Sequence, residues 1–240
     1  MLPFTVLLNK LFAVPVVALL SALGLHPADP TAPIADYVAM QILVFLFCLV
    51  FFVIVRLRLS VDNPGATQHF FEMLSEMVVG QTKDMIGHGY ERFLPYLVTL
   101  GLFVLLSNLL GLVPGFESPT ANACVPLGCA LITFVLYHAV GIRQHGFGYI
   151  KQFLGPVWWI AFLMFPIELC SHAARLMSLT IRLYANMFAG DMVTLAFFSL
   201  VPLGAPIAFL GLHLLVSCIQ AFVFVMLTAV YVGGALAEEH

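Results

Sequence analysis

Apolar residues run in long blocks along this chain, separated by short polar stretches. Residues 3 to 25 are apolar with one charge, Lys10, and are interrupted by Pro15. A retained helix lying in or near a membrane interface fits that stretch. A signal peptide is the alternative, although the lysine sits inside the apolar run and no clear A-x-A cleavage site follows. His26 to Asp36 carries three prolines, two aspartates and no Lys or Arg, as expected of an irregular extracytoplasmic loop. The next block, about Tyr37 to Val55, is long enough to cross a ~30 Å hydrocarbon core as a helix. Arg56 and Arg58 follow it at once. Asp62-Asn63-Pro64 then signals a helix start. The segment beyond it sets Phe70, Leu74, Met77, Val78 and Met85 along one face and Glu72, Glu76 and Asp84 elsewhere, the pattern of an amphipathic helix lying on a membrane surface over 64–87. Residues 93 to 113 predict a second span, ended by Pro114-Gly115, and about Cys124 to Ile142 a third.

The last two blocks are too long to stand upright. Trp158 to Ser199 is about 42 residues, ~63 Å of helix and roughly twice the hydrocarbon thickness, so it must tilt steeply or break near Gly190. Pro206 to about Leu236 is about 31 residues, or ~46 Å, and should be tilted too. Both carry polar residues at helical spacing. In the first, Glu168, His172, Arg175, Ser178 or Leu179, Arg182 and Asn186 follow one another at steps of three and four, forming one polar stripe on an apolar cylinder. In the second, His213, Ser217, Gln220 and Thr228 fall on or near one face. The two can pack as an antiparallel hairpin that turns around Pro202 to Pro206.

Composition confirms the solvent these blocks expect. The 240 residues are 62% hydrophobic and 9% charged, against the roughly 25% charged content of soluble domains. The chain is therefore an all-α integral membrane protein with about three roughly upright spans, a surface amphipathic helix and a long, strongly tilted C-terminal hairpin. It forms a single membrane domain, 1–240, with an N-terminal interfacial segment and outer loop (1–36), spanning helices (37–156) and the hairpin (157–240). No soluble domain of any size fits, so its chemistry lies inside the bilayer. A net charge of -3 gives nucleic acid no electrostatic footprint. The five cysteines show no metal-ligand spacing and read as small buried hydrophobes, so no metal or cofactor is expected. Arg56, Arg58, Lys83, Arg92, Arg143 and Lys151 fall on one side of this arrangement and only Lys10 on the other. By the positive-inside rule the N-terminus is then outside and the C-terminus inside.

Charged side chains within a bilayer cost at least several kcal/mol and mark functional sites by default. Arg175 and Arg182 sit at such depth. Around them, SLTIRLYANMFAGD (Ser178 to Asp191) resembles the signature of the a subunit of rotary, F-type ATP synthases, the stator half of a proton path. GLHLLVSCIQAFVFVMLTAVYV (Gly211 to Val232) is similar to that family's last helix, and SNLLGLVPGFESPTAN (Ser107 to Asn122) resembles the segment that precedes both. The resemblance implies no catalytic site in this chain itself, but a non-catalytic part in a proton-translocating complex. It implies that Arg182 faces the carboxylates of a rotating ring of c subunits, that Asn186 lines the path, and that Glu168 and Ser178 belong to an inner half-channel. Asp191 and His213 would form the polar pair of an outer half-channel, where many members carry Glu in place of Asp. Gln220 would neighbour Arg182 across the hairpin. Arg175 either joins the path or neutralises Glu168 two turns away, and His138 and His172 are assigned to helix packing. The implied partners are the c ring, peripheral-stalk b subunits, the rest of the ATP synthase and the lipid bilayer. The implied location is a bacterial plasma (inner) membrane, with mitochondrial inner or thylakoid membranes as the alternative.

Two other classes account for intramembrane charge. A secondary ion transporter usually shows paired repeats and helices broken at mid-membrane, neither of which is evident here. A haem-binding redox subunit needs histidine pairs at matching depth on facing helices, and His138, His172 and His213 supply at most one such pair.

Overall fold

A computed structural model describes residues 3–22, 24, 32–58, 65–87, 89–113, 115–146, 148–149, 161–200 and 205–236. Among them there are helices, two short 3-10 turns and no strand. The helices are α1 (Pro3–Ala22), α2 (Asp36–Arg58), α3 (Ala66–Ile86), α4 (Leu94–Leu110), α5 (Cys124–His145), α6 (Ala161–Leu200) and α7 (Ala205–Leu236). Backbone groups in hydrocarbon must be paired within the chain, and an all-helical fold achieves this segment by segment. Four helices are long and apolar enough to cross a membrane: Pro3–Ala22, Asp36–Leu57, Cys124–Gln144 and Ile207–Leu236. The 17-residue Leu94–Leu110 is a shorter apolar helix.

The spanning-length α1 docks on the start of α2 and the residues just before it. Asn9, in its middle, donates from Nδ2 to the Ile34 carbonyl and accepts from the Ile34 N–H, both at 3.0 Å. Phe4, Leu8 and Val16 pack in one cluster with Ile34, Ala39, Met40, Leu43 and Leu110. Asn9 is buried, and its amide satisfies both backbone groups of a residue that precedes the helix. The Lys10-to-Pro15 stretch remains helical, with Pro15 inside it.

The longest helix, α6, runs 40 residues without interruption through Gly190, ~60 Å in all. A break near Gly190 is therefore not what the chain adopts. The expected turn, Pro202 to Pro206, and the start at Trp158 lie largely outside the described residues. On either side of the turn α6 and α7 pack against each other, and α7 also packs on α3, α4 and α5. It is the central helix of the fold. Its Phe224, Ala229 and Val232 are fully buried.

Lipid tails are as apolar as leucine, so helices in a membrane associate through close packing and hydrogen bonds. Small residues at contacts are the visible result. A Cβ on Gly233 would collide with the main-chain carbonyl of Met85 at the end of α3, whereas one on the adjacent Gly234 would meet nothing within 4 Å. Gly233→Leu is expected to destabilise the fold by about 1–3 kcal/mol, and Gly234→Leu to leave it unchanged. Thermal unfolding of the two detergent-solubilised variants measures the difference; equal midpoints would refute the packing assignment.

Candidate functional site

The polar stripe of α6 is divided by its surroundings. Leu179, Leu183 and Met187, at steps of four, are buried against α4, α5 and α7. Ser178 and Arg182, one position earlier in each turn, are exposed. His172 is buried, and Glu168 and Arg175 are half-buried. What reads as one stripe is therefore a boundary, with Arg182 turned away from the chain's own core. The only hydrogen bond it makes among the described residues is from Nη2 to Ser178 Oγ, at 3.4 Å, and no carboxylate pairs with it.

One turn further, Asn186 Nδ2 donates to Gln220 Oε1 at 2.8 Å. Gln220, expected to neighbour Arg182 across the hairpin, hydrogen-bonds the residue one turn further along α6. Gln220 is 4% exposed, and its Nε2 has no hydrogen-bond partner among the described residues. The amide pair fixes the register of α6 against α7 close to the arginine.

Toward the turn, Asp191 Oδ1 lies 3.9 Å from His213 Nδ1, and the buried His213 Nε2 has no hydrogen-bond partner among the described residues. The ring lies against Gly190: a Cβ there would sit 2.9 Å from Cε1 and 3.0 Å from Nδ1. Gly190 thus makes the room that His213 fills. It goes unnoticed in the sequence because a glycine in a long apolar run looks only like a place to break.

A second feature missing from the sequence reading is a buried polar chain beside this pair. Thr120 Oγ1 donates to Asn108 Oδ1 at 2.6 Å and shares a 2.7 Å contact with Ser118 Oγ, which donates to the Ser107 carbonyl at 3.0 Å. Asn108 Nδ2 reaches the Ser217 carbonyl on α7 at 3.5 Å. All these residues lie within Ser107 to Asn122 or on α7, and the signal was present as polar residues at an apolar helix end.

At the other end of α6, ~21 Å before Arg182, Glu168 Oε1 lies 3.3 Å from His172 Nε2. His172 Nδ1 is 2.8 Å from the Tyr137 hydroxyl, and Tyr137 is fully buried. Arg175 does not neutralise Glu168; its guanidinium stands over the Tyr231 ring, 5.7 Å from the centroid, as a cation–π contact. Helical spacing explains this: i and i+4 meet directly, whereas i and i+7 are two turns apart. His172 bridges α6 to α5, joining Glu168 to Tyr137. Both of its ring nitrogens lie against protein groups, Glu168 and Tyr137, and the His138 ring lies 4.8 Å from it. Among the described residues no cluster of His, Cys, Asp and Glu suits a metal ion.

The arrangement holds two polar groupings on opposite sides of an unpaired, exposed guanidinium: Asp191–His213 toward the turn and Glu168–His172–Tyr137 toward the helix start. Such a geometry can pass protons between side chains at either end while a fixed positive charge separates them.

Comparison with known proteins agrees with this architecture. The ATP synthase A chain family matches residues 37–233. The chain is 58% identical over 238 residues to ATP synthase subunit a of Koribacter versatilis, covering 99% of this chain and 97% of that one. It is 46% identical over 224 residues to ATP synthase subunit a of Solibacter usitatus (93% and 95% covered) and 42% identical over 216 residues to that of Geotalea uraniireducens (90% and 94%). With the family matched over residues 37–233 and relatives aligned nearly end to end, this multi-pass membrane chain belongs to the ATP synthase A chain family.

Proposed function

We propose that this chain is the stator of a proton-translocating ATP synthase, with Arg182 as the residue that lets carboxylates of a rotating c ring exchange protons. As a family member it is a non-catalytic subunit of that complex. The observation that carries the reading is Arg182 itself: an exposed arginine in mid-helix with no carboxylate partner among the described residues. A charge so placed needs a partner, and a partner from another chain is what a ring carboxylate supplies.

The electrostatics give the mechanism. A carboxyl surrounded by lipid is neutral, because burial penalises its charged form; beside a guanidinium and a hydrated channel it ionises. Protons enter from outside past Asp191 and His213, reach a ring carboxylate, travel with the ring and leave past Glu168 on the inner side. Asn186, hydrogen-bonded to Gln220, lines the path near the arginine, and Ser178 and Arg175 lie on the inner side of it. The Nε2 atoms of Gln220 and His213, without a partner among the described residues, are ones that water would engage, and the imidazole can take up and release a proton. In this reading the N-terminus is outside and the C-terminus in the cytoplasm of a bacterial inner membrane, b subunits of the peripheral stalk flank the chain, 157–240 carries the path and 1–156 supports it.

A photoreactive amino acid at Ala185, exposed one turn from Arg182, tests the assignment. Irradiation of the purified complex is expected to link this chain to the ring subunit. Adducts with lipid alone would contradict a ring-facing Arg182.

A further inference from the structure

A cleft of about 700 Å³ lies between α2, α4 and α5, apart from the α6–α7 site. It exists because α2 packs on α4 and only slightly on α5, leaving a wedge between them. The α2 wall is one helical stripe, in which Phe45, Cys48, Leu49, Phe52 and Val53 recur at steps of three and four. The next position on that stripe is Arg56, which lines the same cleft where the apolar run stops. Arg56 is exposed, and no carboxylate pairs with it among the described residues. Phe103 and Ile132 stand on the opposite walls.

Size and charge decide what fits. A membrane helix ~10 Å across and ~30 Å long occupies on the order of 2,400 Å³, far more than the cleft offers. A chain of ~16 carbons, taking each methylene at roughly the ~30 Å³ of a water, needs on the order of 500 Å³, so the cleft holds one. A guanidinium at the mouth favours a phosphate, which it can hold with two parallel hydrogen bonds. We propose that this cleft binds an anionic glycerophospholipid, with one acyl chain along the Phe45-to-Val53 stripe and the phosphate on Arg56. The lipid then fills the wedge and ties α2 to α5.

The test uses the full complex, reconstituted in vesicles of equal parts phosphatidylglycerol and phosphatidylethanolamine, with a benzophenone amino acid in place of Phe52. After irradiation, the mass of this chain is expected to rise by one phospholipid, with phosphatidylglycerol adducts in excess. A polypeptide adduct would overturn the proposal, because it would put a partner's helix in the cleft. Arg56→Gln is expected to reduce the preference for the anionic lipid about 5-fold. Gly128→Phe is expected to remove the adduct, since a side chain at Gly128 enters open space in the cleft and meets nothing within 4 Å. Unchanged selectivity in the first variant, or unchanged labelling in the second, would overturn it as well.

Discussion

Replacing Arg182 with alanine is expected to abolish proton-driven ATP synthesis while leaving the chain folded and assembled. The side chain is exposed and makes a single long hydrogen bond to Ser178. Truncating a surface group of that kind changes stability by about 0.5 kcal/mol or less. Its electrostatic part is far larger. At ~4 Å and an effective dielectric constant of ~20, a guanidinium favours an ionised carboxylate by about 4 kcal/mol, or on the order of 10³ in the ionisation equilibrium. Without it, a ring carboxyl facing α6 keeps its proton and the ring has no reason to advance. Arg182→Lys is expected to fail as well, because an ammonium in an apolar setting can lose its proton and lacks the planar fork. ATP synthesis by reconstituted complexes under an imposed pH gradient, normalised to assembled protein, measures both variants.

Gly190→Val is expected to lower proton flux on the order of 100-fold, the loss that ~1 Å of misplacement can cause. The added branches would occupy the space of the His213 ring, which lies 2.9 to 3.2 Å from the position of a Cβ. Either α6 moves off α7 or the imidazole turns away from Asp191. Gly211→Val, on the facing helix where a Cβ meets nothing within 4 Å, is the control and should be harmless. ATP-driven proton pumping by the two variants gives the comparison. Equal pumping in both would show that the His213 position is not held by Gly190.

The helices were legible because their signal is local. A run such as Tyr37 to Val55 declares its length and solvent by composition alone, and α2 begins one residue before the expected start. The hairpin was legible for the same reason, since two long, mainly apolar segments, which form helices of 40 and 32 residues, flank a short proline-containing stretch and pack compactly by folding back on each other. Partner choice was less so. That Gln220 hydrogen-bonds Asn186 depends on how far α7 is rotated, a quantity that neither helix's periodicity contains. Glu168 met His172 instead of Arg175 because local i,i+4 geometry took precedence over charge matching at seven residues. Gly190 and Gly233 escaped notice because a glycine's role in packing is defined by the residue opposite it, here His213 and Met85. The division of the polar stripe into buried and exposed parts likewise required knowing where α4, α5 and α7 lie.

The most direct test of the account is the passive proton conductance of the membrane sector carrying Arg182→Ala, measured in vesicles after removal of the catalytic head. If the arginine's fixed charge separates two half-channels, the variant is expected to leak protons down a gradient without rotation, and adding Asp191→Asn should close the leak by disabling the outer one. A variant that stays tight to protons, or a leak that persists unchanged in the double mutant, would contradict the claim that Arg182 stands between two proton paths.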